Sequence, residues 1–348
     1  MLRLATSIVG FHYSTFLTRQ RSMDEPLVSG GIMLLICFGV TVIMQCSFFA
    51  IAYTCQFDKV TDLAGALNFI VLAVLSLALQ DAYDTRAIVV TCLQVVWALR
   101  LGSFLLIRVL KRGKDERFDE MRANCMAFFG FWIFQILWVF MVSLPVVLAN
   151  SCGDQVNGSF GKAPDIVGCV LWAIGIVIEV AADASKSAFH DDPKNKGKLL
   201  QSGVWKYSRH PNYFGEILCW VGVTIVASAN FGSNGGKTWF YYVSCISPVF
   251  TFLVLMFLSG VPLAEDRYDE RFGLDPDYIE YKRATSPLLM LPPAFYRSLS
   301  DAIKRWCFFE LERYSRKLRE LRDTDRKRHP LITRPSQLNL CRALIKQK

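Results

Sequence analysis

The chain has 348 residues, 53% of them hydrophobic, with a mean hydropathy of +0.30 and a formal net charge of +9. That apolar share is more than a soluble domain of this length has to bury, and its arrangement in long runs excludes a water-soluble globule. The positive charge is distributed as a topology signal and not as a nucleic-acid surface, so a DNA- or RNA-binding role is excluded as well.

Residues 1–29 form an N-terminal arm rich in Arg, Ser and Thr, with no acidic residue before Asp24. It reads either as a short extramembrane arm or as a mitochondrial presequence. Seven apolar runs follow, at residues 30–53, 62–80, 86–110, 124–149, 165–185, 213–229 and 239–263. About 20 mostly apolar residues are needed to cross a hydrocarbon core, and a lipid-embedded backbone must satisfy its own hydrogen bonds. The runs therefore predict an all-α, multi-pass transmembrane bundle of about seven helices over residues 30–293. The second and sixth runs are the shortest, and the third and fifth carry charges. The 11 cysteines include no CxxC pair and several lie mid-run, which fits small buried hydrophobes better than disulfides or a metal site.

Basic residues collect on one side of this bundle. The short loops after the first, third and fifth runs hold 12 Lys and Arg, against 3 in the short loops of the other side. By the positive-inside rule the 12-residue side is cytosolic, as is the basic tail 294–348. The endoplasmic reticulum membrane is the expected location. Asn157-Gly-Ser159 is a glycosylation sequon in a loop on the opposite side. In the tail, Trp306, Phe308, Phe309, Leu311, Leu318 and Leu321 recur at roughly helical spacing. They suit either an interfacial amphipathic helix on anionic lipid or a solvated tail.

Ionisable groups inside spans are costly and mark either a site or a paired bridge. Arg100, Glu179, Asp183 and Glu216 stand out. Glu179 and Asp183 are spaced i,i+4 and share one helix face; an ion pair with Arg100 or Arg209 and a ligand-binding role both suit them. The densest cluster is 203–216, GVWKYSRHPNYFGE. Pro211 disfavours helix at His210 and can open one after it. Arg209, His210 and Asn212 then sit at the mouth of the sixth helix, where free N–H groups favour anions. Asn212 and Glu216 again share a face, beside Tyr213. This predicts a cytosol-facing site for a phosphorylated, polar-headed ligand. Glu265, Tyr268, Tyr278, Tyr281 and Lys282 follow on the same side and predict a lid or clamp. No GxGxxG loop is present, so a Rossmann site is not supported.

At these residues the chain resembles the C-terminal domain of the steroid 5α-reductase-like membrane family, and more closely its DUF1295 branch. The likeness rests on LRLGSFLLIRVLKRGKDERF, the Glu179–Asp183 helix, DDPKNKGKLLQSGVWKYSRHPNYFGE and SGVPLAEDRYDERF with the later DYIEYKRATSPLLMLPP. It implies an NADPH-dependent reductase of a carbonyl-conjugated C=C bond in a lipid. It also implies that Glu179, Asp183, Asn212, Tyr213, Glu216, Glu265, Tyr278 and Tyr281 bind the cofactor, with Arg209 and His210 gripping a phosphate. The catalytic Glu–Tyr pair of steroid reductases has no counterpart that aligns; Asp62 and Tyr53 are the nearest such groups. Two rival expectations are an S-adenosylmethionine-dependent lipid or isoprenylcysteine-type methyltransferase, which shares an Arg-His-Pro-x-Tyr loop, and a non-catalytic lipid-binding protein.

Overall fold

A computed structural model of the chain describes residues 29–55, 60–80, 84–112, 124–151, 160–229 and 242–328. The arm 1–28, most of the charged loop 111–123, the sequon at 157 and the last 20 residues lie outside them. The described residues are helical, with no strand among them. In chain order the helices are α1 (Gly30–Thr54), α2 (Val60–Ala78), α3 (Thr85–Arg112), α4 (Cys125–Asn150), α5 (Ala163–Asp191), α6 (Pro211–Ser228), α7 (Ile246–Leu253), α8 (Val261–Phe272), α9 (Pro276–Ala284), α10 (Pro293–Ser298), α11 (Asp301–Cys307) and α12 (Arg316–Arg328). Six of the seven expected runs form single helices, and the seventh is interrupted. Five helical stretches are long and apolar enough to cross a membrane: Gly30–Thr54, Thr85–Lys111, Cys125–Asn150, Ala163–Asp191 and Tyr242–Phe272. Two fall short. The apolar part of α2 is only Leu63–Ala78, and α6 opens on polar Asn212 and Glu216. The chain is an integral membrane protein of the multi-pass helical class.

The chain divides into two compact units whose boundaries fall within α5, α6 and α7. The first contains everything to Ile174 together with Leu218–Thr251. Here α2 is held by side-chain amides from three neighbours. Gln135 Nε2 donates to Thr61 O (3.0 Å), Gln45 Nε2 to Asn68 Oδ1 (2.9 Å), Gln94 Nε2 to Phe69 O (2.8 Å) and Asn150 Nδ2 to Ser76 Oγ (2.8 Å). Lipid offers no competing hydrogen bonds, so polar residues bind helices together where apolar ones cannot. That explains how so short an apolar run is retained: one side of α2 is held by protein, while Leu63, Leu67 and Val74 are exposed on the other. Phe69, Trp97, Trp138 and Trp220 pack edge-on around its middle, with ring centroids 4.9–5.2 Å apart in the Phe69–Trp97, Phe69–Trp138 and Trp97–Trp220 pairs. Arg86 and Asp165, both buried, form a two-point pair (2.7 and 2.8 Å) that ties the starts of α3 and α5.

Close backbone approach joins α5 and α6. A Cβ at Gly222 would lie 2.5 Å from Gly168 O and 2.7 Å from Trp172 N. Only glycine allows that contact.

The second unit contains Gly175–Ile217 and Phe252 onward. After α7 the helix widens into a π turn, Val254–Leu258, and breaks at Ser259-Gly260 before Pro262 restarts it as α8. The seventh span is thus interrupted, not continuous across 239–263. A π turn frees carbonyls; Met256 O accepts from the Tyr314 hydroxyl and Phe257 O from Arg313 Nη1 (3.0 Å). Tyr296, Tyr314 and Leu318 of the later segment are buried in this unit.

The α5–α6 contact predicts opposite outcomes for two glycines. Gly222→Ala should lower the thermal unfolding midpoint in detergent, because the new methyl meets backbone. Gly130→Ala, whose Cβ would meet nothing within 4 Å, should keep or raise it, by up to about 1 kcal/mol from helix propensity.

Candidate functional site

Every residue singled out from 179 to 281 falls in the second unit. The turn before α6 is fixed by strand-like bonds to the segment after α9. Arg209 N donates to Ser286 O (2.9 Å), Leu291 N to Tyr207 O (3.0 Å) and Ser208 Oγ to Leu288 O (2.7 Å). His210 O accepts the first helical bond of α6, from Phe214 N (3.2 Å), as expected from Pro211.

The anion at the mouth of α6 is the protein's own. Glu265, buried on α8, lies 3.2 Å from Arg209 Nε, 2.8 Å from His210 Nε2 and 2.8 Å from Lys282 Nζ. A carboxylate oxygen can only accept, so His210 carries its proton on Nε2. Arg209 Nη2 also meets both oxygens of Glu310 (2.8 and 2.9 Å), and Nη1 donates to Lys282 O (3.2 Å). Lys282 binds Asp269 (2.6 Å) and Tyr314 O, and the Tyr278 hydroxyl donates to Asp269. The reading of Arg209 and His210 as phosphate grips meets a different geometry here: the guanidinium is shared between two carboxylates and a carbonyl. Breaking such a buried pair costs about 3–5 kcal/mol, so this network is the rigid wall of the site.

A small cleft opens beside that wall, lined by Leu199, Leu200, Trp205, Tyr268, Tyr278 and Tyr281 together with Arg209 and Glu265. Trp205 is fixed by its Nε1 bond to Ala182 O (3.1 Å), and Tyr281 donates its hydroxyl to Trp205 O (2.6 Å). Lys186 lies over the Trp205 and Tyr268 rings at 5.0 and 5.8 Å, a cation–π arrangement. Burial pushes the Tyr278 and Tyr281 phenols well above their ordinary value, so both are neutral donors.

The carboxylates lie on the adjoining helix faces. Glu179 and Asp183 are both buried on α5. Gly215 brings α6 against them: a Cβ there would sit 2.6 Å from Gly175 O and 2.9 Å from Glu179 N. Tyr213 stacks on His210 (5.4 Å, 17°). Its hydroxyl is within electrostatic reach of Asp183, Glu216, Arg267 and Tyr268. The structure thus gathers Asp183, Tyr213 and Glu216 in one neighbourhood, close to Glu179, and places Glu265 and Tyr278 in the wall. Residues not singled out from the sequence are Asp269, Glu310 and Tyr314. Asp269 is i,i+4 from Glu265 on α8, a spacing that signals a second inward carboxylate; Glu310 carries no local signal.

Fold and site define a multi-pass helical membrane protein with a charged, aromatic-lined cleft built from the segment before α6 together with α8 and α9. The chain belongs to the family described as "Protein of unknown function (DUF1295)", which matches residues 48–285, the branch of steroid 5α-reductase-like membrane proteins indicated by its motifs. It is 25% identical to an uncharacterized protein of Schizosaccharomyces pombe over 39% of this chain and 46% of that one. It is 37% identical to a probable O-methyltransferase of Ustilaginoidea virens over 46 residues, 13% of this chain and 16% of that one. The chain thus covers less than half the length of these curated relatives. No solved structure matches it.

The buried His210 gives a pH test. Burial holds its imidazole below the ordinary 6.5, against the pull of Glu265. The unfolded chain therefore binds a proton that the folded one does not, and stability falls as pH drops below that value. The unfolding midpoint should be lower at about pH 5.5 than at about pH 7, and His210→Gln should flatten that dependence.

Proposed function

We propose that the chain is a membrane-embedded reductase that uses NADPH to reduce a carbonyl-conjugated C=C bond in a lipid. The observation that carries the reading is the donor set beside the Glu265 wall. Buried carboxylates on α5 and the half-buried Glu216 on α6 adjoin two basic side chains, Lys186 and Arg267, and flat aromatic faces at Trp205, Tyr213 and Tyr268. A phosphorylated dinucleotide offers matching groups: ribose hydroxyls for Glu179, Asp183 and Glu216, a carboxamide for Asn212, phosphates for Lys186 and Arg267. The residues present fit this cofactor by chemical type. When bound, it would supply the hydride.

The chain's own residues bind and orient. Asp183 and Glu216 present acceptors from two helices whose separation the Gly215 contact fixes. Tyr213 is held by its stack on His210, so the wall behind it sets its angle. Tyr278 and Tyr281, neutral and anchored, contribute hydroxyls without charge. Membership of a steroid reductase-like membrane family supports the reading. We place this face in the cytosol of the endoplasmic reticulum membrane, because the basic short loops share its side.

Methyl transfer from S-adenosylmethionine is the second reading, favoured by the short likeness to a probable O-methyltransferase. The two cofactors differ in charge. S-adenosylmethionine has a sulfonium cation, a single carboxylate and no phosphate, so it offers Lys186 and Arg267 one anionic group where NADPH offers several.

Purified protein in nanodiscs titrated with each cofactor should bind NADPH and not S-adenosylmethionine. Asn212→Ala, Glu216→Ala and Arg267→Ala should each weaken NADPH binding about tenfold or more, the loss expected for a charge-assisted contact. Binding of S-adenosylmethionine alone would overturn the reductase reading.

A further inference from the structure

The segment after α9 does more than complete the Glu265 wall. Its inner face is bound tightly. Tyr314 and Leu318 are buried, Tyr314 reaches Met256 O, Arg313 reaches Phe257 O, and Phe309 packs on Phe252 with centroids 5.0 Å apart. These bonds fix the segment to the π turn of the last apolar span. The side chains of that turn that face outward, Leu253, Phe257 and Leu258, are exposed and apolar, as lipid-facing residues must be in a spanning helix. Residues 309–314 are therefore tied to the rim of a lipid-facing surface.

The outer face of the same segment is apolar where water would demand polar groups. Phe295 is 50% exposed, Ile303 43% and Trp306 81%. Ile303 and Trp306 are i,i+3 on α11 and share a face, while Tyr296 on α10 and Lys304 on α11 are buried. Around them the chain is basic: residues 293–324 hold eight Lys and Arg against five Asp and Glu. Several are paired at the surface, Arg297 with Glu280, Arg305 with Glu312 and Arg316 with Glu320, and Arg313, Arg316, Arg319 and Arg322 are all exposed. An exposed indole and aliphatic groups, framed by arginine and joined to the rim of a span, match the chemistry of a membrane interface.

We infer that α10 and α11 form a foot that lies in the interface of the protein's own membrane, with Phe295, Ile303 and Trp306 inserted among anionic headgroups. It docks the lipid surface from the side of the span that ends at Leu258. Because Glu310 leaves this foot to meet Arg209, the lipid contact also fixes the outer end of the Glu265 wall. The inference is independent of the cofactor.

The test uses the full-length protein reconstituted in vesicles, comparing wild type with Trp306→Phe, so that the difference in emission reports Trp306 alone. In vesicles containing phosphatidylserine the difference spectrum should be blue-shifted and quenched by lipids brominated near the glycerol end of the acyl chain. It should be little affected by aqueous iodide. Pure phosphatidylcholine should reduce the quenching, and Ile303→Asp should reduce it further. Ready quenching by iodide, with the red-shifted emission of a hydrated indole, would overturn the inference. Shielding from both iodide and brominated lipid would overturn it in favour of a second copy or another protein on this face. Equal quenching in the two lipids would overturn the anionic assignment.

Discussion

A buried carboxylate at the end of a membrane span cannot be left without counter-charge, and the second unit is organised around the way Glu265 receives it. Two cations and a neutral imidazole from two distant stretches meet it: Arg209 and His210 from the turn before α6, and Lys282 from α9. Arg209 and Lys282 are each held by a second group. Glu310 takes the far side of Arg209, Asp269 the far side of Lys282. The cost of desolvating these charges is offset only when all of them are in place. One ionic cluster therefore fixes the relative positions of α6, α8, α9 and the C-terminal segment.

That constraint reaches the candidate cleft through short physical steps. His210 cannot rotate without losing Glu265, and Tyr213 stacks on His210. Tyr213 opens the face that carries Glu216, which Gly215 sets against α5 and its Glu179. Tyr281 fixes the backbone at Trp205, and Trp205 with Tyr268 forms the aromatic surface under Lys186. The charged residues closest to the cofactor reading are thus supported from behind by the charged residues of the wall. The first unit uses neutral means for a similar purpose, with amides from α1, α3 and α4 holding α2.

Much of this was legible in the sequence because a membrane imposes blunt rules. Runs of about 20 apolar residues became helices with ends displaced by a few positions, and Pro211 started α6 where its ring requires. The exceptions have reasons. The polar residues Asn68 and Ser76 make α2 a poor lipid-exposed helix, yet they are what hold it among its neighbours. The break at Ser259-Gly260 was written in Gly260 and Pro262 but hidden by apolar residues on both sides. In the site, Arg209, His210, Glu265, Tyr278 and Tyr281 were visible as a cluster. Their division into wall and cleft was not, because it depends on Glu310, about one hundred residues away from Arg209 and beyond the matched family region. The tail's apolar spacing was visible too, but one face of it is core and the other is exposed, and spacing alone does not say which is which.

Coupling between Glu265 and Lys282 tests the ionic organisation of the second unit most directly. A double-mutant cycle of Glu265→Gln, Lys282→Met and the pair, read by unfolding in a mild detergent, separates their interaction from the cost of each change. If the carboxylate is the hub, each single variant strands a buried charge, and the double variant should be about 2 kcal/mol or more better than the sum of the two losses. Losses that add to within about 0.5 kcal/mol would show that the two charges act independently and would contradict it.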